Sequence, residues 1–238
     1  MMKLIGKVLL SAFVALGTAT AAHADLTLSG ASGMFLNPDA RTGSTLKPQV
    51  QANYNDLDGG ESYGIYGVVS VGGKTEFGAG VGHLKYGSDS DAGFAVNMKQ
   101  SLIGVPGVGT HVAFGLGYDD IHYGNLYGYL AATQDFGSKL GGHGVAATLG
   151  LRWDRFGKEI DSTKASVYGG IDVSLNEKFH LIGELQSRNT KYDTPSPYAI
   201  GIRYSPLSGV TLGAGFQRTG WSGDSGKFFL QAGYKFGG

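Results

Sequence analysis

The chain contains no cysteine. Disulfide staples, thiolate metal sites and thiol nucleophiles are excluded together, so stability has to come from the fold itself. Charge is sparse: 16% of residues are Asp, Glu, Lys or Arg, and the formal net charge is zero. A water-exposed surface normally carries about 25 to 35% charge, and a chain without a basic excess gives nucleic acid no electrostatic footing. Long hydrophobic runs are missing too. The longest, Val8 to Leu16, falls far short of the roughly 20 residues that a spanning helix needs, and beyond Asp25 no segment holds a helical period of apolar residues.

That one short run has a recognisable setting. Lys3 and Lys7 precede it, and Ala22-His23-Ala24 follows. A basic end, a short apolar core and an A-x-A site form the pattern of a cleavable secretory signal of the kind ordinary in bacteria. We therefore expect residues 1–24 to be removed, with a slightly acidic mature chain starting at Asp25.

Glycine is what the chain has in excess, at 42 of 238 residues against a usual share of about 7%. There is no collagen period and no long polar tract. The glycines sit inside alternating runs, where they suit sheets that bend tightly or face a narrow interior.

The alternation itself recurs along the chain. GVAATLGLRWD sets Val145, Ala147, Leu149, Leu151 and Trp153 against Thr148, Arg152 and Asp154; VTLGAGFQ sets Val210, Leu212, Ala214 and Phe216 against Thr211, Gly213, Gly215 and Gln217. Similar runs begin at Leu46 and end at Phe236, about twelve in all within a range of 10 to 14. Two of them, Thr75 to Tyr86 and Leu126 to Asp135, are ambiguous in phase. Turns such as VGGK, LNEK and SPLSG look tight, whereas YGSDSDAG, RFGKEIDSTK, SRNTKYDTPS and TGWSGDSG look longer and more polar.

Short turns on one rim and longer loops on the other, with an apolar and a thinly charged polar face, predict an all-β, antiparallel up-and-down transmembrane β-barrel over residues 46–238. Tyr54, Tyr63, Tyr118, Trp153, Tyr198, Tyr204, Phe216 and Phe236 fall near strand ends of the apolar face, where interfacial girdles form. The alternative is a soluble periplasmic barrel. In lipid the sheet must close, so the last strand is expected to pair with the first. Residues 25–45 read as an extra first strand, a plug or a periplasmic lead.

SGASGMFLNPDARTGSTLKPQVQANY resembles the start of the YjbH-like outer-membrane barrels associated with exopolysaccharide export. Gly30, Gly33, Pro38, Ala40 and Gly43 fill the glycine-punctuated start, the Pro-x-Ala turn and the following glycine of that pattern. GIRYSPLSGVTLGAGF is similar to their strand, Pro-turn and strand unit. The resemblance implies an exported barrel, with a polysaccharide or small solutes passing through it and the barrel assembly machinery and outer-membrane lipid as partners.

Enzyme chemistry finds little support. Asp119, Asp120 and His122 could share one rim loop, as a membrane protease would require, but no second acidic pair accompanies them. No Ser, His and acid set stands out. His83, His111, His122, His143 and His180 are scattered without ligand spacing, DLDGGE and GSDSDAG lack the spacing of a calcium loop, and no phosphate cradle suggests a cofactor. The chain is read as having no catalytic, metal or cofactor site.

The inward-facing charges are the candidate functional residues. Lys99, Asp119, Arg152, Asp154, Asp172, Glu184, Arg203 and Lys235 all fall on predicted lumen positions. Either they line a conduit, or they pair with one another in a filled interior, because buried charges need partners.

Overall fold

The computed structural model describes residues 25–43, 46–104, 109–121, 124–137, 144–157, 162–187, 195–219 and 225–237. Residues 1–24, where a signal is expected, and residues 44–45, 105–108, 122–123, 138–143, 158–161, 188–194, 220–224 and 238, with His122 and His143 among them, lie outside the described residues. Twelve strands follow in order: β1 Gln49–Leu57, β2 Gly60–Val71, β3 Thr75–Tyr86, β4 Asp89–Ile103, β5 Gly109–Asp119, β6 Asn125–Asp135, β7 Gly144–Phe156, β8 Ser162–Ser174, β9 Phe179–Gln186, β10 Tyr198–Tyr204, β11 Val210–Arg218 and β12 Lys227–Lys235. Each pairs antiparallel with its neighbour, and β12 returns to pair with β1, Ala232 opposite Ala52. The sheet thus closes with no free edge.

Closure follows from the alternation. Gln49, Gln51, Asn53 and Asn55 point inward and are buried, while Val50 faces out at 39% exposure. Ile65, Val81, Leu149 and Phe216 are the extreme cases, each more than 60% exposed on the outer face. A soluble barrel would show the reverse pattern, apolar side chains inward and charge outward. Here lipid is the solvent that fits the exterior.

Aromatic side chains ring both ends of that exterior. At the rim where β1 begins and β12 ends, Phe179 stacks on Tyr204 at 4.4 Å and Tyr234 meets Phe236 edge-on at 4.9 Å. At the opposite, distal rim, Tyr54 lies 5.8 Å from Phe228 and Phe94 lies 5.7 Å from Tyr118. We call the first of these the proximal rim.

The connectors depart from the expected division. On the distal rim β1 and β2 reverse through Asp58 and Gly59, and β3 and β4 through Gly87 and Ser88. YGSDSDAG is therefore mostly strand, not a long loop. Gly59 at φ 82° and Gly87 at φ 60° supply the left-handed backbone that two-residue hairpins require. Residues 25–43 add no strand to the barrel; they lie inside it.

The glycine excess is explained on the inner wall. A Cβ on Gly150 would come 2.1 Å from the Tyr168 ring, one on Gly115 2.3 Å from Tyr129, and one on Gly117 2.4 Å from Tyr127. In β11, Gly215 makes room for Phe229 and Gly213 for Gln231. Each glycine lets a large side chain from the adjacent strand lie flat against the wall.

Candidate functional site in the barrel lumen

Residues 25–43 fill the lumen. Leu26, Thr27, Phe35 and Asp39 are fully buried, and Phe35 sits 4.6 Å from Phe229 of β12 at a spot opened by Gly201 of β10. Both ends of the segment lie toward the proximal rim. Asp25 accepts from Gln49 Nε2 and Thr211 Oγ1, and Thr42 Oγ1 donates to the carbonyl of Gly73 in the β2–β3 turn. Its middle reaches farther in, where Gly30 packs against Tyr66.

An irregular segment at this depth must have its backbone groups satisfied by protein. Inward side chains of the wall do this. The Glu184 carboxylate accepts from the backbone N–H groups of Phe35 at 2.8 Å, Leu36 at 2.6 Å and Asn37 at 3.0 Å, and from Asn37 Nδ2 at 3.1 Å. Arg203 donates to the carbonyls of Gly33 at 3.0 Å, Leu26 at 3.2 Å and Met34 at 2.6 Å, with its guanidinium 4.9 Å over the Phe35 ring. Lys99 donates to the carbonyls of Ser32 and Arg41 at 3.0 and 2.6 Å. Gln51 and Asn53 donate to the carbonyls of residues 26 to 28, Tyr168 to that of Pro38, and Thr133 accepts from the N–H of Ala40.

An ion network links the same parts. Lys99 Nζ lies 3.3 Å from Glu76 and 3.8 Å from Asp39; Arg41 pairs with Asp39 at 2.6 Å and with Asp172 at 3.1 Å; and Asp172 meets His180 Nδ1 at 2.8 Å. Glu76 also accepts from Ser32 Oγ and from the N–H of Gly43. Burial opposes the charge on Arg41, yet Asp39 and Asp172 beside it push its pKa above the ordinary value.

Of the eight charged residues proposed from the sequence, the structure brings Lys99, Asp172, Glu184 and Arg203 together around this segment. Arg152, Asp154 and Asp119 lie farther toward the distal rim. There Arg152 bonds Asp154 at 2.9 Å and covers the Tyr127 ring, Asn125 donates to Asp154, and Asp119 accepts from the N–H of Ile121. Ile121 itself folds inward from the β5–β6 loop into the space left by Gly82 and Gly93. Lys235 ends β12 at the proximal rim, half-buried.

Sequence reasoning missed Glu76, Thr133 and Tyr168, together with Asp39 and Arg41 of the segment itself. Among the described residues no group of His, Asp and Glu is placed to hold a metal ion. Asp120 accepts from Tyr118 Oη at 2.9 Å, and its supposed partner His122 is outside the described residues.

A closed twelve-stranded antiparallel barrel is the fold of porin-like outer-membrane barrels. The structure is similar to that of the KdgM porin, with a TM-score of 0.63 at 13% identity over 79% of this chain and 99% of that one. A second structure, the KdgM porin in complex with disordered oligogalacturonate, gives 0.60 at 10% identity, covering 79% and 99%. The Acinetobacter baumannii outer membrane protein Omp33 gives 0.53 at 11% identity, covering 81% and 100%. No family model matches the sequence, and no curated protein aligns with it.

Proposed function

We propose that the protein is a bacterial outer-membrane barrel of the porin kind, exported through a signal peptide cleaved after Ala24, with residues 25–43 holding its lumen shut at rest. Passive transport of small solutes then requires that segment to shift. The observation that carries this reading is the occupied lumen, in which Glu184, Arg203 and Lys99 hold the segment by charge-assisted bonds. The proximal rim is the periplasmic one, outer-membrane lipid surrounds the apolar exterior, and the barrel assembly machinery inserts the chain. The protein is not an enzyme on this reading, in which the luminal charges Lys99, Glu76, Asp172, Glu184 and Arg203 bind one another, the segment's backbone and its charged side chains.

Export of a saccharide is the finer form of the proposal. It rests on the resemblance to exopolysaccharide-associated barrels, whose matching residues Gly30, Gly33, Pro38, Ala40 and Gly43 all belong to the luminal segment, and on the oligogalacturonate complex of the KdgM porin. Both charge signs interleave along this lumen, which favours uncharged solutes over a polyanion. A permanently closed structural or surface-interaction barrel is the second reading. It is favoured by the core-like burial of Met34 and Phe35.

Planar-bilayer conductance of the mature protein, with Arg203→Glu as the paired variant, separates the two. The variant places a carboxylate among the carbonyls of Leu26, Gly33 and Met34, so it is expected to conduct steadily where the wild type is nearly silent. A folded Arg203→Glu protein that stays silent would favour the permanently closed barrel.

A further inference from the structure

We propose that the lumen wall is a receptor for polypeptide main chain, and that residues 25–43 are its ligand through backbone shape, not through side-chain identity. The proposal rests on the reading that this segment closes the lumen. Glu184 takes three consecutive backbone N–H groups, those of residues 35, 36 and 37. Arg203, Gln51, Asn53 and Tyr168 give their protons to main-chain carbonyls of residues 26, 27, 28, 33, 34 and 38. Side chains of the segment contribute fewer links to the wall: Arg41 to Asp172, Asn37 to Glu184, Ser32 to Glu76, Asp39 to Lys99, Asp25 to Gln49 and Thr211, and Thr42 to the Gly73 carbonyl.

A wall that reads carbonyls and amides selects for where those groups stand in space. The segment fixes their positions by itself. Thr27 N–H bonds the carbonyl of Ala31 at 2.6 Å, Leu28 N–H that of Phe35 at 2.6 Å, Gly33 N–H that of Asp25 at 2.7 Å, and Met34 N–H that of Asn37 at 3.0 Å. Gly30 holds φ at 87°, and a Cβ on Gly33 would stand 2.5 Å from the Asp39 nitrogen and 2.6 Å from the Pro38 Cα. Those two glycines set the loop's shape, so they and not its charges are the recognition determinants. The chemical class of the ligand is a short, glycine-turned peptide loop that carries its own internal hydrogen bonds, and such a loop binds in trans from the proximal mouth.

The test uses the full-length mature chain with Gly33→Leu, whose side chain cannot fit the loop, in planar bilayers with a synthetic peptide of residues 25–43 added at the proximal side. Heat-modifiable migration checks folding, and Gly30→Leu replaces Gly33→Leu if the latter does not fold. Steady conductance in the glycine variant is expected, lost on adding the peptide and kept on adding a scrambled peptide of the same composition. Arg41→Gln, which removes only side-chain ion pairs, is expected to conduct less than the glycine variant. If the glycine variant conducts but the peptide leaves it unchanged, or the scrambled peptide blocks equally, or Arg41→Gln opens as widely, main-chain recognition is wrong while closure by the segment stands. A folded glycine variant as silent as the wild type would overturn both.

Discussion

Glu184→Gln is the substitution whose effect follows most directly from the geometry. The two carboxylate oxygens divide four donors between them, Phe35 and Leu36 N–H on Oε1, Asn37 N–H and Nδ2 on Oε2. Glutamine keeps one acceptor oxygen and turns an amide NH2 toward the other two donors, so two bonds are lost and the remaining two lose their charge assistance. At about 1.5–3 kcal/mol for each hydrogen bond to a charged group, the loss has an upper range of roughly 3–6 kcal/mol. Water entering beside the amide recovers part of it, which leaves a working figure of about 3 kcal/mol, or roughly a 100-fold shift from seated toward displaced segment. The strand ladder of β9 involves only its main chain, so the barrel itself should keep its unfolding midpoint. Two readouts apply: open probability in planar bilayers, and amide hydrogen exchange at Phe35, Leu36 and Asn37. Unchanged closure together with unchanged protection at those three amides would refute the claim that the carboxylate latches the segment.

Other positions test the exterior and the wall. Leu149→Arg puts a charge on an outward position that is 64% exposed, and should cost about 2–4 kcal/mol if that position lies near the bilayer midplane; urea titration in lipid vesicles measures this, and a neutral result would place the face in water. Gly150→Leu drives a side chain into the Tyr168 ring and so breaks the bond from Tyr168 to the Pro38 carbonyl. Its unfolding midpoint should fall clearly, whereas Gly67→Ala, where an added Cβ meets only ordinary contacts beyond 3.6 Å, should behave as wild type; equal midpoints would mean the ring does not occupy the glycine's space.

The barrel was legible because lipid and lumen impose opposite demands on alternate residues. In β7 the contrast is plain, with Val145, Ala147, Leu149, Leu151 and Trp153 outside and Thr148, Arg152 and Asp154 inside, and the phase could be read at sight. In β3 it fails. The inward positions include Gly78, Gly80 and Gly82, which carry no side chain to contrast with Ala79 or Val81, and Glu76 was lost with the phase. In β6 the inward residues include Tyr127 and Tyr129, which taken alone look like girdle aromatics. They fit inside only because Gly115 and Gly117 stand beside them on β5, and that pairing depends on a register no single strand reveals. The luminal segment has no period at all. Its partner Glu184 is 147 to 149 positions away, so nothing local in SGASGMFLNPDARTG announces the carboxylate that holds it, although Gly30, Gly33 and Pro38 do announce a turn.

The segment enters and leaves through the same mouth, with Asp25 beside Gln49 and Thr42 beside the β2–β3 turn. It is a looped finger, not a thread. A thread could be withdrawn only by drawing a chain end through the whole bore, but a finger retracts the way it came, with no topological obstacle and no rearrangement of the opposite mouth. Insertion and withdrawal are then the same path run in two directions, and the inward-folded Ile121 at the far end can stay where it is while the near half of the bore empties.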